Sequence, residues 1–266
     1  MSEQQASPCP TVMCFSGHDP GGGAGIQADI EAIAANGGHA VTITTALTIQ
    51  DTCNVAKVIA VNPDDLVNAA TQILEDMPVA CFKIGLLGDA TIATAVATVI
   101  AQHPAIPVVF DPVLASGAGT PLADAELLTV IREKLLPITT LITPNTLEAE
   151  KLTGQADIQA SAHRLLDSGC QHVLITGTHA DTTNVVNTLY GAIDKEFVVP
   201  RLDGEFHGSG CTLASCIAAQ LAHGQAMPVA VKTGIDYTWQ TLKHARPLGK
   251  GQAIPNRFFY FEDKKF

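Results

Sequence analysis

A rhythm of short strands and helices constrains this chain more than any single motif. From Thr11 onward, "TVMCF" precedes "GIQADIEAIAANGG", "AVTITTAL" precedes "PDDLVNAATQILEDM", and "CFKIGLL" precedes "DATIATAVATVIAQH". "PVVFD" then leads to "AELLTVIREKLL", "TTLIT" to "TLEAEKLTG" and "IQASAHRLLDSG", and "HVLIT" closes the series. Repeated strand-helix units specify a mostly parallel sheet with helices on both faces, because each parallel connection must cross back over the sheet. The composition agrees: 47% of residues are hydrophobic, only 15% are charged and 5% are aromatic, which suits strands buried on both faces.

Punctuation supports these boundaries. Asn62 before Pro63 and two aspartates reads as an N-cap with proline in the first turn, and Gly37-Gly38 reads as a helix stop. After "HVLIT" the pattern becomes "VVNTLYGAI" and "KEFVVPRL" around Asp194, an antiparallel hairpin at the sheet edge. The helices "CTLASCIAAQLAHG" and "PVAVKTGIDYTWQTLKHA" and a glycine-rich tail follow. No repeat or polar linker divides the 266 residues, so the expectation is one domain, 1–266, with 1–10 a flexible N-terminal tail.

Charge excludes several partners. Lysine and arginine number 15 against 26 acidic residues, a net charge of −11 with no basic run, which argues against nucleic acid or an anionic membrane. No apolar run approaches the roughly 18 residues of a membrane span and no signal segment opens the chain, so a soluble cytoplasmic protein is expected. Seven cysteines without a C-x-x-C pair suit reduced thiols better than disulfides or zinc.

In an open parallel sheet the site forms where loops leave the carboxyl ends of strands. Five such loops carry candidates. In "SGHDPGGGAGIQAD", Gly23 to Ala28 matches G-x-G-x-x-A, yet a dinucleotide fingerprint belongs directly after the strand, and the strand is read to end near Ser16 with no acidic residue at the end of the next one. Gln50 offers an amide that matches a heterocycle with an amino group beside a ring nitrogen, or it is a solvated loop residue. Asp111 in "VVFDPV" could hold hydrated Mg²⁺ or cap a turn. Asn145 and Glu148, three apart at a helix start, could hold metal waters or form a capping box.

The fifth loop is "HGSGCTLASC". Gly208, Ser209, Gly210 and Cys211 bring unencumbered backbone N–H groups to a helix start, which attracts anions. Neither the lysine nor the spacing of a Walker loop is present. Cys211 is either a small core residue or a thiol whose pKa the helix terminus lowers from about 8.5.

Taken in order, "SGHDPGGGAGIQADIEAIAANGGHAVTITTALTIQDT", "KIGLLGD", "DPVLASGAG", "LITPNTLEAEKLTG" and "HGSGCTLASCIAA" resemble the ribokinase-like small-molecule kinases. Within them the likeness is to the hydroxymethylpyrimidine/phosphomethylpyrimidine kinases of thiamine biosynthesis. The resemblance implies a three-layer αβα domain, usually a homodimer. It further implies transfer of the γ-phosphoryl of ATP to 4-amino-5-hydroxymethyl-2-methylpyrimidine and, in many members, to its monophosphate. By position it assigns Gly17, Asp29, Gln50, Leu86 and Val113 to the pyrimidine, and Asn145, Thr176 and Gly177 to the nucleotide. Asp111 and Glu148 act through Mg²⁺, and a monovalent cation is admitted as a further cofactor. The anion hole is Gly208 to Cys211, with Cys211 as catalytic base.

The chain departs from that family at three places. Thr176 stands where a lysine is usual, "LASGAGT" has no lysine, and Leu86 replaces a methionine. The nearest rival is a pyridoxine or pyridoxal kinase; a Rossmann-type oxidoreductase and a non-catalytic pyrimidine binder are the others.

Overall fold

The computed structural model describes residues 9–117, 119–178, 182–192 and 194–261. Of the expected tail, residues 1–8 fall outside them. Among the described residues, one nine-stranded sheet runs in the order β3-β2-β1-β4-β5-β6-β7-β8-β9. The parallel body comprises β1 (Thr11–His18), β2 (His39–Gln50), β4 (Val79–Ile84), β5 (Val108–Phe110), β6 (Leu141–Ile142) and β7 (His172–Thr176). The expected hairpin is β8 (Asn184–Tyr190) with β9 (Lys195–Pro200), antiparallel at one edge.

Alternation along β1 shows how the layers form. Val12 and Cys14 point into one core, while Met13 and Phe15 point into the other. The first core is closed by α1 (Gly25–Ala35), α7 (Ser209–Ala222) and α8 (Met227–Lys243). The second is closed by α2 (Pro63–Asp76), α3 (Ala90–Ala101), α4 (Ala125–Val130), α5 (Thr146–Thr153) and α6 (Ile158–Asp167). This is the three-layer α/β fold that the rhythm implied.

Local chemistry sets the boundaries. Asn62 accepts from the N–H groups of Asp64 at 2.8 Å and Asp65 at 3.2 Å, and Pro63 occupies the first turn of α2. Three expectations shift. β2 continues through Gln50, so this residue ends a strand rather than opening a loop. A strand missed in the sequence, β3 (Val55–Ala60), pairs antiparallel with β2 at the other edge; its alternation is too short and too broken by Lys57 to stand out. The helix expected through Leu136 is α4 followed by a π-helical turn and a short 3₁₀ turn, because Pro137 cannot donate within a regular helix. No helix among the described residues is long and apolar enough to cross a membrane.

Candidate active site

Helix α7 starts with Gly208 at a φ of 84°. A Cβ there would lie 1.9 Å from the Gly23 carbonyl oxygen, so both the backbone conformation and the contact demand glycine. Ser209, Gly210 and Cys211 form the first turn, whose N–H groups have no acceptor within the helix. No side chain caps it. Asp111, just past β5 and 5% exposed, faces this turn: a Cβ on Gly210 would lie 3.5 Å from both of its oxygens.

Cys211 corrects one expectation. Its thiol is not lowered by the helix terminus but pushed up to about 12, chiefly by burial. Lys83 and the Gly25 N–H oppose that rise, while Asp111 and Asp29 reinforce it. The neighbouring thiol in turn favours the charged form of the Asp111 carboxyl. Loss of hydration penalises the charged thiolate by more than Lys83 and the Gly25 N–H return.

Asp111 and Glu148 form a strained pair of carboxyl groups. Burial raises Asp111 to about 6, with Lys83 opposing the shift. Glu148 rises to about 8 through burial and then through repulsion by Asp111, despite N–H bonds from Asn145 and Leu114. Asp111 Oδ2 is buried without a partner. Two mutually repelling carboxylates with an unsatisfied oxygen fit a divalent cation, and Mg²⁺ needs few protein ligands because it keeps water and phosphate oxygens. Among the described residues, no three histidine, cysteine or acidic side chains form a fuller metal site.

The expected pyrimidine residues divide. Gly17 and Leu86 touch: a Cβ on Gly17 would lie 2.8 Å from Leu86 Cδ2. The Thr45 hydroxyl donates to the Leu86 carbonyl and that of Thr48 to the His18 carbonyl, so the ends of β1, β2 and β4 are tied together. Gln50 is half-buried and donates to Thr48 Oγ1 at 2.7 Å; its amide has a second N–H and an oxygen for a ligand. Val113 is half-buried, two residues beyond Asp111. Asp29 is different. It is wholly buried, and its Oδ1 accepts from Lys83 Nζ at 2.8 Å and Ser215 Oγ at 2.7 Å. It lies with Lys83 in the floor of the site, and its Oδ2 is buried without a partner.

Lys83, which sequence reading passed over, is the centre of that floor. It is 0% exposed and also donates to Ser16 Oγ at 3.0 Å. Burial alone would lower its pKa, but Asp29 first, then Cys211 and Asp111, hold it above the ordinary lysine value. The signal was a lysine inside the apolar run "CFKIGLL".

On the nucleotide side, Asn145 and Thr176 lie abreast as a parallel bridge, and Thr176 N–H donates to the Pro144 carbonyl at 2.9 Å. Gly177 packs so close to β8 that a Cβ would lie 2.2 Å from the Val186 oxygen. The two readings of Asn145 and Glu148 coexist, for both hydrogen bonds of the capping box are made at 2.9 Å. Arg201, at the end of β9, donates to the Thr178 and Thr182 carbonyls at 2.8 and 2.7 Å. Of the loops around these residues, Ala118 and residues 179–181 lie outside the described chain.

The glycine loop before α1 does not offer a pyrophosphate site. Asp19 fills it: Oδ1 accepts from Gly21 N–H and Oδ2 from Ala24 N–H, each at 2.8 Å. His207 Nε2 lies 2.9 Å from the same Oδ2. Burial pushes Asp19 up, but the bonds from His207, Ala24 and Gly21 outweigh it and hold the carboxyl below its ordinary value. The loop already holds an anion of the protein's own, which removes the ground for a dinucleotide enzyme.

Comparison with known proteins agrees with this geometry. The model of the phosphomethylpyrimidine kinase family matches residues 19–256. The hydroxymethylpyrimidine/phosphomethylpyrimidine kinase of Haemophilus influenzae is 34% identical over 94% of this chain and 97% of its own. The thiamine biosynthesis bifunctional protein ThiED of Geobacter sulfurreducens is 35% identical over 96% of this chain, which spans only 54% of that larger relative. The ADP complex of Bacillus subtilis pyridoxal kinase superposes with a TM-score of 0.88 at 25% identity, covering 96% of this chain and 100% of its own. The chain is a small-molecule kinase of ribokinase-like fold and belongs to the phosphomethylpyrimidine kinase family.

Proposed function

We propose that this kinase transfers the γ-phosphoryl group of ATP to the hydroxymethyl group of 4-amino-5-hydroxymethyl-2-methylpyrimidine, and then to the monophosphate, in thiamine synthesis. The observation that carries this reading is the meeting at Gly210 of an uncapped helix N-terminus with a buried carboxylate. Phosphoryl transfer needs positioned donors and charge stabilisation more than covalent chemistry. The N–H groups of Ser209, Gly210 and Cys211 would hold the transferring group. Asp111 and Glu148 would hold Mg²⁺, which when bound neutralises phosphate charge.

Gly17, Leu86 and Val113 would form the apolar walls around the pyrimidine, and Gln50 would read its amino edge. Asn145, Thr176 and Gly177 would face the nucleotide phosphates. With a pKa of about 12, Cys211 has no standing thiolate. Its Sγ would accept the hydroxyl proton only while passing its own proton to the neighbouring Asp111 carboxylate. Full turnover in Cys211→Ala with an unchanged pH profile would remove this role.

We also propose a homodimer closed across β2 and β3. Leu47 and Ile59 are cross-strand partners, and with Ile49 they are exposed by 49%, 40% and 56%, an apolar face unusual on a monomer. Sedimentation at micromolar concentration checks it; a monomer there contradicts it.

Vitamin B6 phosphorylation remains as a second reading, favoured by the superposition on pyridoxal kinase. Sequence identity is higher to the pyrimidine kinase, 34% against 25%. ADP release with ATP and each of the pyrimidine, its monophosphate, pyridoxal and pyridoxine separates them. Preference for the pyrimidine supports the first reading, and preference for pyridoxal replaces it. Tight pyrimidine binding without ADP release would mark a non-catalytic binder.

A further inference from the structure

Arg257 follows α8 in the C-terminal segment and is only 1% exposed. Its guanidinium uses its whole fork. Nε donates to Thr212 Oγ1 at 2.9 Å, Nη1 to the Gly22 carbonyl at 3.3 Å and to Glu31 at 3.1 Å, and Nη2 to the Gly23 carbonyl. Thr212 extends the chain, since its hydroxyl donates to the Gly208 carbonyl at 2.8 Å. Its one acidic partner, Glu31, has a side chain 42% exposed, so the ion pair itself adds little stability. The guanidinium is therefore better explained by the backbone it fixes.

That backbone is the joint between the two glycine-rich segments. The Gly23 carbonyl oxygen held by Nη2 is also the atom against which Gly208 packs without a side chain. Cys211 lies three residues beyond Gly208, in the same first turn of α7. A shift of Gly22 and Gly23 relative to Gly208 would move the first turn of α7 and Cys211 together.

We propose that Arg257 is a positioning residue for phosphoryl transfer. It sets the spacing between the loop before α1 and the first turn of α7, so that the cradle N–H groups and Cys211 Sγ meet the reacting group in register. This rests on the reading of α7 as the phosphate cradle. Lysine keeps the charge but cannot make the planar fork, so Arg257→Lys separates geometry from charge.

The test is steady-state kinetics of native enzyme and Arg257→Lys, with the pyrimidine and with pyridoxal as acceptors, after melting curves confirm a folded variant. A displaced cradle lowers kcat on the order of 10- to 100-fold while KM for the heterocycle stays at its native value. A purely structural arginine lowers the melting temperature and leaves kcat native, which overturns the proposal. If Arg257→Lys does not fold, Thr212→Val decides instead: it cuts the link from Arg257 to Gly208, and native kcat in it overturns the proposal equally. Absence of turnover by the native enzyme on every acceptor would sink the proposed function separately. Arg257 is then read from the affinity for Mg²⁺ and a non-hydrolysable ATP analogue, expected to weaken in Arg257→Lys and overturning the inference if unchanged.

Discussion

Two glycine-rich helix entrances lie against each other in this protein and behave in opposite ways. Before α1, the N–H groups of Gly21 and Ala24 are held by the carboxylate of Asp19. Before α7, no side chain caps the first turn, and Asp111 stands off beyond Gly210. Glycine makes both backbones accessible, and only the second is left open to a ligand. What separates a phosphate site from a structural turn is whether the protein places its own anion there.

The largest expected effect breaks the open entrance. Gly208→Ala forces a left-handed residue against the Gly23 oxygen, and kcat/KM should fall by about 100-fold or more, measured on protein shown to be folded by circular dichroism. Activity near native would mean that the contact between the two entrances is not needed.

Next comes the floor that both share. Lys83→Met leaves Asp29 buried without its cation, a loss of about 3–5 kcal/mol in urea unfolding. Lys83→Met with Asp29→Asn should recover part of it, since the uncompensated charge is gone; no recovery would mean that packing and not charge holds the floor.

The closed entrance is tested by Asp19→Asn, expected to lose about 1–3 kcal/mol of stability near neutral pH. Here the sign follows from a carboxyl whose native pKa lies below its unfolded value near 3.9. Its contribution is present above that unfolded value and fades as pH falls through the lower native one. The gap between native and variant should therefore close as the pH falls below about 4 through that lower native value; a gap that persists unchanged at more acid pH contradicts the assignment.

The smallest effect concerns the thiol of the open entrance. Cys211, at about 12, should resist alkylation at neutral pH while exposed Cys9 and Cys53 react, as read by mass spectrometry of peptides. Preferential labelling of Cys211 would restore the lowered thiol that the helix terminus alone suggests.

The fold was legible because its signals are local and repeated. Periodicity and caps such as Asn62 need no knowledge of distant residues. β3 escaped because an edge strand with charge in it carries weak alternation. In the site, positions on strand ends, Gln50, Asp111 and Asn145, could be read singly. Pairings could not: Asp19 meets His207 across 188 residues, and Arg257 reaches Gly23 across 234. The thiol of Cys211 was misjudged for the same reason, since burial and the charges of Lys83, Asp111 and Asp29, which decide its pKa, come from distant parts of the chain. The bonds of Asp29 to Lys83 and Ser215 were likewise out of reach of the sequence, since they join residues 54 and 186 positions apart.

The contrast between the two entrances is tested most directly by a crystal structure with Mg²⁺ and a non-hydrolysable ATP analogue. The terminal phosphate should lie within hydrogen-bond reach of the N–H groups of Ser209, Gly210 and Cys211, with Asp19 still bonded to Gly21 and Ala24. A phosphate seated on the loop of Gly21 to Gly25, with Asp19 displaced, would contradict it.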